Sequence, residues 1–471
     1  MKSNLIDKIS LLKEGQLVGL ALLLSVIVAY FSVGFHHFDE HFQLIEFMNY
    51  KLGNTKAADL PWEFHRRMRP WLQPYLYLIL DSPLRAIGAS PFSRMFFLRL
   101  CSGIFSIFSI YYLYRNVLKS WYNNLSDKRT ALFVMLFTWF IPYIAVRPSA
   151  ESLSAGLFFL GVGLCLKEKP KFFTAGILLG FCYLSRYQMA LPIAVLWFWG
   201  IFSQKWKPKY LALYACGILI LIALGIALDS YAYSQFTFAL YNYFKANFLD
   251  GVLKHMGVSP WYKYLEWSIV KLLPPISLVL TLGVFSFWKN NYRNPKSWMT
   301  WITLTFFIFH SYIGHKEYRF IFLCALLAPV MSFSTYGKKI PNFFVILNFI
   351  FILTTLKPAN KMIPLYKYIY YNNIEHIYFV DETPLTLVGL PLNFYFKRGL
   401  RSEALGLSPV EGKYIFTKRF SSTRKFLKKG CEALYINYPH FIFKEYPASI
   451  KKYLERQKVM GLFHCEAEHE K

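Results

Sequence analysis

Eleven apolar runs constrain this chain more than any other feature of it. They lie at 17–35, 95–114, 130–146, 150–166, 172–186, 189–203, 210–228, 268–288, 298–314, 319–335 and 341–356. A bilayer's hydrocarbon core is about 30 Å thick, so roughly 17–25 helical residues cross it, and only a helix satisfies its own backbone there. The composition agrees: 55% of the 471 residues are hydrophobic and 20% are aromatic. The expected fold is therefore an α-helical polytopic membrane protein with about eleven transmembrane helices.

Charge then orients the spans. The formal balance is +27, from 53 Lys and Arg against 26 Asp and Glu. In a soluble protein such an excess would point to nucleic acid, but here the basic residues cluster between apolar runs. Arg115/Lys119/Lys128/Arg129, Lys167/Lys169/Lys171, Lys205/Lys207/Lys209, Lys289/Arg293/Lys296 and Lys338/Lys339 fall at every second junction. That alternation satisfies the positive-inside rule with a cytoplasmic N-terminus, where Lys2, Lys8 and Lys13 precede the first run. No nucleic-acid partner is expected; the bilayer is. The first run lacks a small-residue cleavage site and reads as a retained helix. The seven cysteines are scattered without metal spacing, so neither a disulfide framework nor a zinc site is expected.

The alternate, outward-facing junctions carry the chemistry. After the first run comes His36-His37-Phe38-Asp39-Glu40-His41-Phe42-Gln43-Leu44-Ile45-Glu46. If helical from Asp39, it sets Asp39, Gln43 and Glu46 on one face at i, i+4 and i+7, whereas adjacent residues diverge. Clustered carboxylates at a membrane surface serve catalysis or cation binding, or else they simply start a solvated helix. The loop 36–93 continues through Trp62, Glu63, Arg66, Arg67 and Arg69 to an amphipathic stretch, Tyr75–Leu80, suited to the interface. Arg69 is the candidate anion contact, whereas Arg66 and Arg67 equally suit lipid headgroups. Arg147, Arg186, Lys316 and Arg319 occupy later outward junctions. Ionisable groups at membrane depth are costly and usually mark a site. Carboxylates opposite such cations suit a lipid-linked phosphate beside a hydroxyl to be deprotonated.

Three motifs in this order carry a family resemblance. The first is His37, Asp39, Glu40, Gln43 and Glu46, followed by Trp62, Glu63 and Arg69. The second is the loop from Asn242 to Asn247 and Gly251, then Gly257-Val258-Ser259-Pro260-Trp261-Tyr262-Lys263-Tyr264. The third is His315-Lys316-Glu317-Tyr318-Arg319-Phe320. Over about residues 17–335 the chain resembles the dolichyl- or polyprenyl-phosphate-mannose-dependent α-mannosyltransferases of GPI-anchor and N-glycan assembly, multi-span enzymes of GT-C architecture. Ser259 stands where the family has His, and Arg147-Pro148-Ser149 matches its corresponding turn only loosely. The resemblance implies an inverting transfer of mannose from a polyprenyl-phosphate donor to a glycan or glycolipid acceptor, at the extracytoplasmic or lumenal face. Such a transfer needs one carboxylate to activate the acceptor hydroxyl, and Asp39 is the expected base, with Glu40 as alternate or orienting partner. His37, Gln43, Glu46, Trp62, Glu63 and Arg69 then support the acceptor side, and His315, Lys316, Arg319, Arg147 and Arg186 the donor phosphate. No obligatory cofactor or metal is expected, although neighbouring carboxylates leave room for a divalent ion.

After Lys357 the pattern changes to short alternating runs, Glu375–Asp381, Lys413–Thr417 and Ala433–Asn437, which read as strands, and Ser449–Val459 reads as a basic amphipathic helix. The expected organisation is a catalytic transmembrane domain over 1–356 and a small α/β domain over 357–471. A transporter or flippase of lipid-linked or anionic substrates is the alternative, but a transporter should show internal repeats, and none is evident.

Overall fold

The computed structural model describes residues 5–252, 256–339, 341–406, 409–438, 455–456 and 459–465. The chain divides into two compact units. The first comprises Met1–Ser32, Trp62–Gly88 and Arg94–Lys357, and the second Val33–Pro61, Ala89–Ser93 and Pro358–Lys471. The acidic motif therefore belongs with the C-terminal segment, not with the helices that flank it in sequence.

The first unit is helical, and every apolar run is helical over most of its length. Its principal helices are α1 (Glu14–Phe31), α2 (Leu72–Ala86), α3 (Pro91–Asn116), α4 (Leu125–Phe137), α5 (Ala150–Leu166), α6 (Phe172–Ser185) and α7 (Ala190–Phe202). Next come α8 (Pro208–Ala232), α9 (Lys263–Val270), α10 (Ile276–Asn290), α11 (Ser297–Tyr312), α12 (Phe322–Tyr336) and α13 (Asn342–Leu353). Among the described residues, four helices are long and apolar enough to cross a membrane: Glu14–Phe31, Pro91–Asn116, Pro208–Ala232 and Tyr318–Lys339. The other runs make shorter helices. The run at 130–146 breaks at Thr138 and resumes at Ile141–Ala145 with Pro142 in its first turn. The run at 268–288 breaks at Pro274-Pro275, where two residues offer no N–H to a helix. A short helix such as α5 is buried along most of its length, so its neighbours, not lipid, complete its surroundings.

One large core holds the unit together, running from Leu17 and Ala21 through Leu132, Phe158, Leu179 and Trp298 to Met331. Within it α6 and α8 approach at backbone distance. A Cβ at Gly176 would stand 2.2 Å from the carbonyl oxygen of Tyr214, and one at Gly217 2.6 Å from that of Phe173. Small residues at such spacing let helices pack closely where lipid gives no hydrophobic drive. Helix α2 lies where the sequence expects an interfacial helix. It buries Gln73, Tyr77 and Asp81, and Arg94 meets Asp81 with two bonds of 2.7 and 2.5 Å.

The second unit contains α14 (Met362–Tyr371), α15 (Phe420–Lys428) and a five-stranded sheet. Its strands are β1 (His376–Phe379), β4 (Arg401–Ala404), β5 (Lys413–Thr417), β6 (Glu432–Ile436) and β7 (Gly461–Cys465); β2 (Thr386–Leu387) and β3 (Leu390–Pro391) form a separate hairpin. The order is β4-β1-β5-β7-β6, with β1 parallel to β4 and β5 and β7 antiparallel to β5 and β6. All three expected strands are present within two residues of their sequence bounds. The helix expected at Ser449–Val459 lies outside the described residues, apart from Glu455, Arg456 and Val459. One expectation is overturned: Cys431 and Cys465 form a disulfide. They are 34 residues apart in sequence, and the antiparallel pairing of β6 with β7 brings them together, which spacing could not reveal.

Candidate active site

In the second unit the acidic motif does not form the single α-helical face expected of it. Glu40–Ile45 is a π-helical turn, closed by the Glu46 N–H to His41 O bond, and an α-helix follows at Glu46–Lys51. An i→i+5 turn changes which side chains share a side, and such turns are frequent at functional sites. His41 Nε2 now meets Glu46 Oε1 at 2.8 Å. Glu46 also accepts from Thr55 Oγ1 at 2.5 Å and from the Phe394 N–H at 3.0 Å, and it is fully buried. The His41 ring stacks between Phe35 and Tyr395, at 5.1 and 5.3 Å. Glu46 is thus a latch tying the motif to the 393–395 turn, and Asn393 adds a bond to Asp59 at 3.0 Å.

Asp39 and Glu40 have opposite environments. The Asp39 side chain is 25% exposed, with its Oδ1 3.5 Å from His37 Nδ1 and its N–H donating to that nitrogen at 3.2 Å. Glu40 is buried and accepts from the His36 N–H at 3.1 Å. Gln43 is buried. Of the two candidate bases, Asp39 has the solvent-facing carboxylate and Glu40 the enclosed one.

In the first unit, three of the junctions between helices converge. Ser149 caps α5, its hydroxyl accepting from the Ser152 N–H at 3.1 Å, which sets Glu151 in the first turn. Arg186 follows the last residue of α6, and His315–Arg319 precede α12. Glu151 Oε1 accepts from Arg186 Nη1 at 2.5 Å and from Arg319 Nη1 at 2.9 Å. Glu317 accepts from Arg319 Nε at 2.6 Å and lies 3.1 Å from His315 Nε2. Both guanidinium groups lie over the Phe320 ring, at 5.3 and 5.5 Å. The hydrogen bond to Glu317 raises the His315 pKa above its usual value, against the opposing effect of burial.

Lys316 differs from its neighbours. It is buried, and its ammonium donates to the carbonyls of Ile313 and Ser259, the latter at 3.3 Å, while lying 5.9 Å from the Tyr264 ring centroid. Desolvation lowers its pKa. A buried ammonium held by carbonyl dipoles is a ready anion contact. Third-motif Lys316 and second-motif Ser259 and Tyr264 are thereby joined.

Arg69 also belongs to this neighbourhood. It reaches Glu63 at 3.4 Å and lies 5.6 Å from the Tyr243 ring, which packs on Tyr187, next to Arg186 in sequence. Its loop is fixed from behind: Asp229 accepts from the Trp71 N–H at 2.8 Å, Tyr233 donates to Arg69 O at 3.0 Å, and Asn242 to Arg67 O at 3.1 Å. These bonds hold Arg67 at a φ of 52°, unusual for a side chain of its size. Trp62 is 37% exposed beneath Arg66.

Arg147 is anchored beside the first helix. It is buried, and Nη2 donates to Ser32 O at 2.7 Å and to Ser32 Oγ at 2.5 Å, so that it caps the C-terminal end of α1. Residues that the sequence reading left without a role are Glu151, Glu317, Tyr264 and Asp229. Glu151 and Asp229 did carry a signal, since each is a carboxylate within or beside an apolar run.

Apolar helices long enough to cross a bilayer make this an integral membrane protein, and its fold is of GT-C architecture. The solved structure of ArnT from Cupriavidus metallidurans bound to undecaprenyl phosphate matches over 95% of this chain and 97% of that one, with a TM-score of 0.56 and 12% identity, a likeness of fold. The chain belongs to the Alg9-like mannosyltransferase family, whose sequence model matches residues 17–387. Its relatives include GPI mannosyltransferase 3 of Candida albicans, 24% identical over 66% of this chain and 62% of that protein. GPI alpha-1,2-mannosyltransferase 3 of Bos taurus is 22% identical over 63% of this chain and 53% of that protein. The chain thus spans between about half and three-fifths of the length of these relatives.

Proposed function

We propose that the protein is an inverting α-mannosyltransferase that uses a polyprenyl-phosphate-linked mannose donor and a glycan or glycolipid acceptor. The observation that carries this reading is the convergence of Arg186, His315 and Arg319, from two separate junctions, on the carboxylates of Glu151 and Glu317, with Lys316 next to His315 in the chain. Family membership, and relatives named as mannosyltransferases, support the sugar. The acceptor hydroxyl attacks the anomeric carbon, the bond from that carbon to the phosphate oxygen breaks, and polyprenyl phosphate leaves with the electron pair. Asp39 takes the hydroxyl proton. Lys316, Arg186 and Arg319 receive the charge that grows on the leaving phosphate, each charge-assisted contact contributing about 1.5–3 kcal/mol. Arg147, held at the end of α1, is left out of that set.

The active face is the extracytoplasmic or lumenal one. The alternation of basic junctions supports this, and so does the Cys431–Cys465 disulfide, since such bonds persist in oxidising compartments. The test is transfer of labelled mannose from a short-chain polyprenyl-phosphate-mannose by the purified protein in detergent, with product mass spectrometry. Appearance of a mannosylated acceptor, absent with Asp39→Asn, is the expected result. Binding of the donor without any product overturns the proposal.

A further inference from the structure

The stretch between α8 and α9 is inside out for a soluble surface segment. Its short helix Ala239–Phe244 runs into the π turn Lys245–Leu249, and together they bury Ala239, Ala246 and Asn247, which are small or polar. The large apolar side chains point away from the protein: Tyr241 is 52% exposed, Phe244 48% and Phe248 52%, and Phe236 and Trp261 on either side are 81% and 72% exposed. The two asparagines face inward. Asn242 donates to Arg67 O, and Asn247 to Tyr243 O at 2.9 Å. In water, so many exposed aromatics on one segment would be a strong liability; in lipid, inverted amphipathicity is what burial requires.

We infer that residues 231–252 and 256–262 lie in the membrane interface as an in-plane seat, with the aromatic face of Tyr241, Phe244 and Phe248 in lipid. The occupant follows from continuity. Helix α8, which leads into the segment, has only 17% of its apolar stretch buried within the protein, so its surface faces lipid, and Tyr231 at its end is already 76% exposed. Tyr and Trp favour the headgroup level, and the exposed Lys245 supplies a cation for it. The inner face of the same segment bears on the basic cluster of the 66–69 turn, through Tyr243 against Arg69 and through the Arg66–Asp250 ion pair at 2.8 Å. A lipid seat therefore sets the level of that cluster relative to the bilayer surface. This inference concerns the segment's surroundings and stands independently of the reaction proposed above.

The experiment is site-directed spin labelling of the full chain in vesicles of phosphatidylcholine and phosphatidylglycerol. Labels are placed by Phe244→Cys, Phe248→Cys and Trp261→Cys in a Cys101→Ser, Cys216→Ser, Cys324→Ser background. Power saturation compares access to oxygen, which concentrates in lipid, with access to a water-soluble nickel chelate. Leu219→Cys on the lipid-facing side of α8 and Lys205→Cys at a basic junction are the references. Oxygen-to-nickel ratios several-fold above that of Lys205→Cys, approaching Leu219→Cys, are expected. Ratios equal to that of Lys205→Cys, showing an aqueous loop, overturn the inference. So does shielding from both reagents that disappears when the protein is diluted into excess lipid, which would identify a second copy of the chain as the occupant. Because all three positions are exposed, the substitutions do not disturb the core.

Discussion

Asp39→Asn keeps the shape of the side chain and removes its capacity to accept a proton. Loss of general-base catalysis is expected to lower transfer about 10²–10⁴-fold with no change in melting temperature. Glu40→Gln is the milder lesion if Glu40 only orients the motif through the His36 N–H; the reverse ranking in a mannose-transfer assay would make Glu40 the base. Glu46 behaves differently. Replacing it by Ala leaves His41, Thr55 and the Phe394 N–H without their acceptor, at about 1–3 kcal/mol for each abandoned buried group. The measurement is thermal or denaturant unfolding, and the expected change is lost stability, not an activity defect in a well-folded protein. His315 adds a pH signature. Its raised pKa means that its bond to Glu317 stabilises the fold fully below the ordinary value of 6.5, and that this contribution is lost as pH rises through the folded pKa. His315→Gln should therefore lower the melting temperature at about pH 5.5 and leave it nearly unchanged at about pH 9. An equal drop at both would mean the pair does not titrate as described.

Helices α6 and α8 depend on glycine at their contact. Gly217→Leu would drive a side chain into the carbonyl of Phe173 and the backbone of Gly176, where no flexible atom can yield. Overpacking of this kind costs about 1–3 kcal/mol or more, and here it would also displace Arg186, which follows α6. Size-exclusion chromatography and a melting curve in detergent test it, and a wild-type profile would show that the pair can separate without consequence. The π turn at Glu40–Ile45 is the other element that matters. A regular α-helix from Asp39 would put Asp39, Gln43 and Glu46 on one face, but one extra residue in the turn brings His41 onto Glu46 and removes Glu46 from the face of Asp39.

For the molecule as a whole, the prediction is one of sidedness. Cys431 and Cys465 should resist alkylation in intact membranes until a reductant is added, and a cysteine introduced in the loop 36–93 should react only from the extracytoplasmic side. Ready alkylation of both native cysteines without reductant would place the C-terminal unit in a reducing compartment. Removing the bond by Cys431→Ser should cost about 2–5 kcal/mol in the small unit. Its sheet closes through β7, the last strand described, so loss should appear first as proteolysis near the C-terminus.

The apolar runs, their basic alternation and the three motifs were all legible in the chain, because spanning a bilayer forces length, hydropathy and charge into the local sequence. Strand positions after Lys357 were legible for the same kind of reason, since alternation is a local property. What only the tertiary structure decided is which partners the charges take. Glu151, which the sequence reading left without a role, joins Arg186 to Arg319 because α5, α6 and α12 bring their ends together. Arg147, read as one of four equivalent cations, is held by Ser32. The acidic loop, adjacent in sequence to the helices, packs with residues more than three hundred positions away through Glu46 and Phe394. Sequence specifies each element through its own periodicity, but a charge finds its counter-ion only when separate elements meet, and that contact is set by packing across the whole chain.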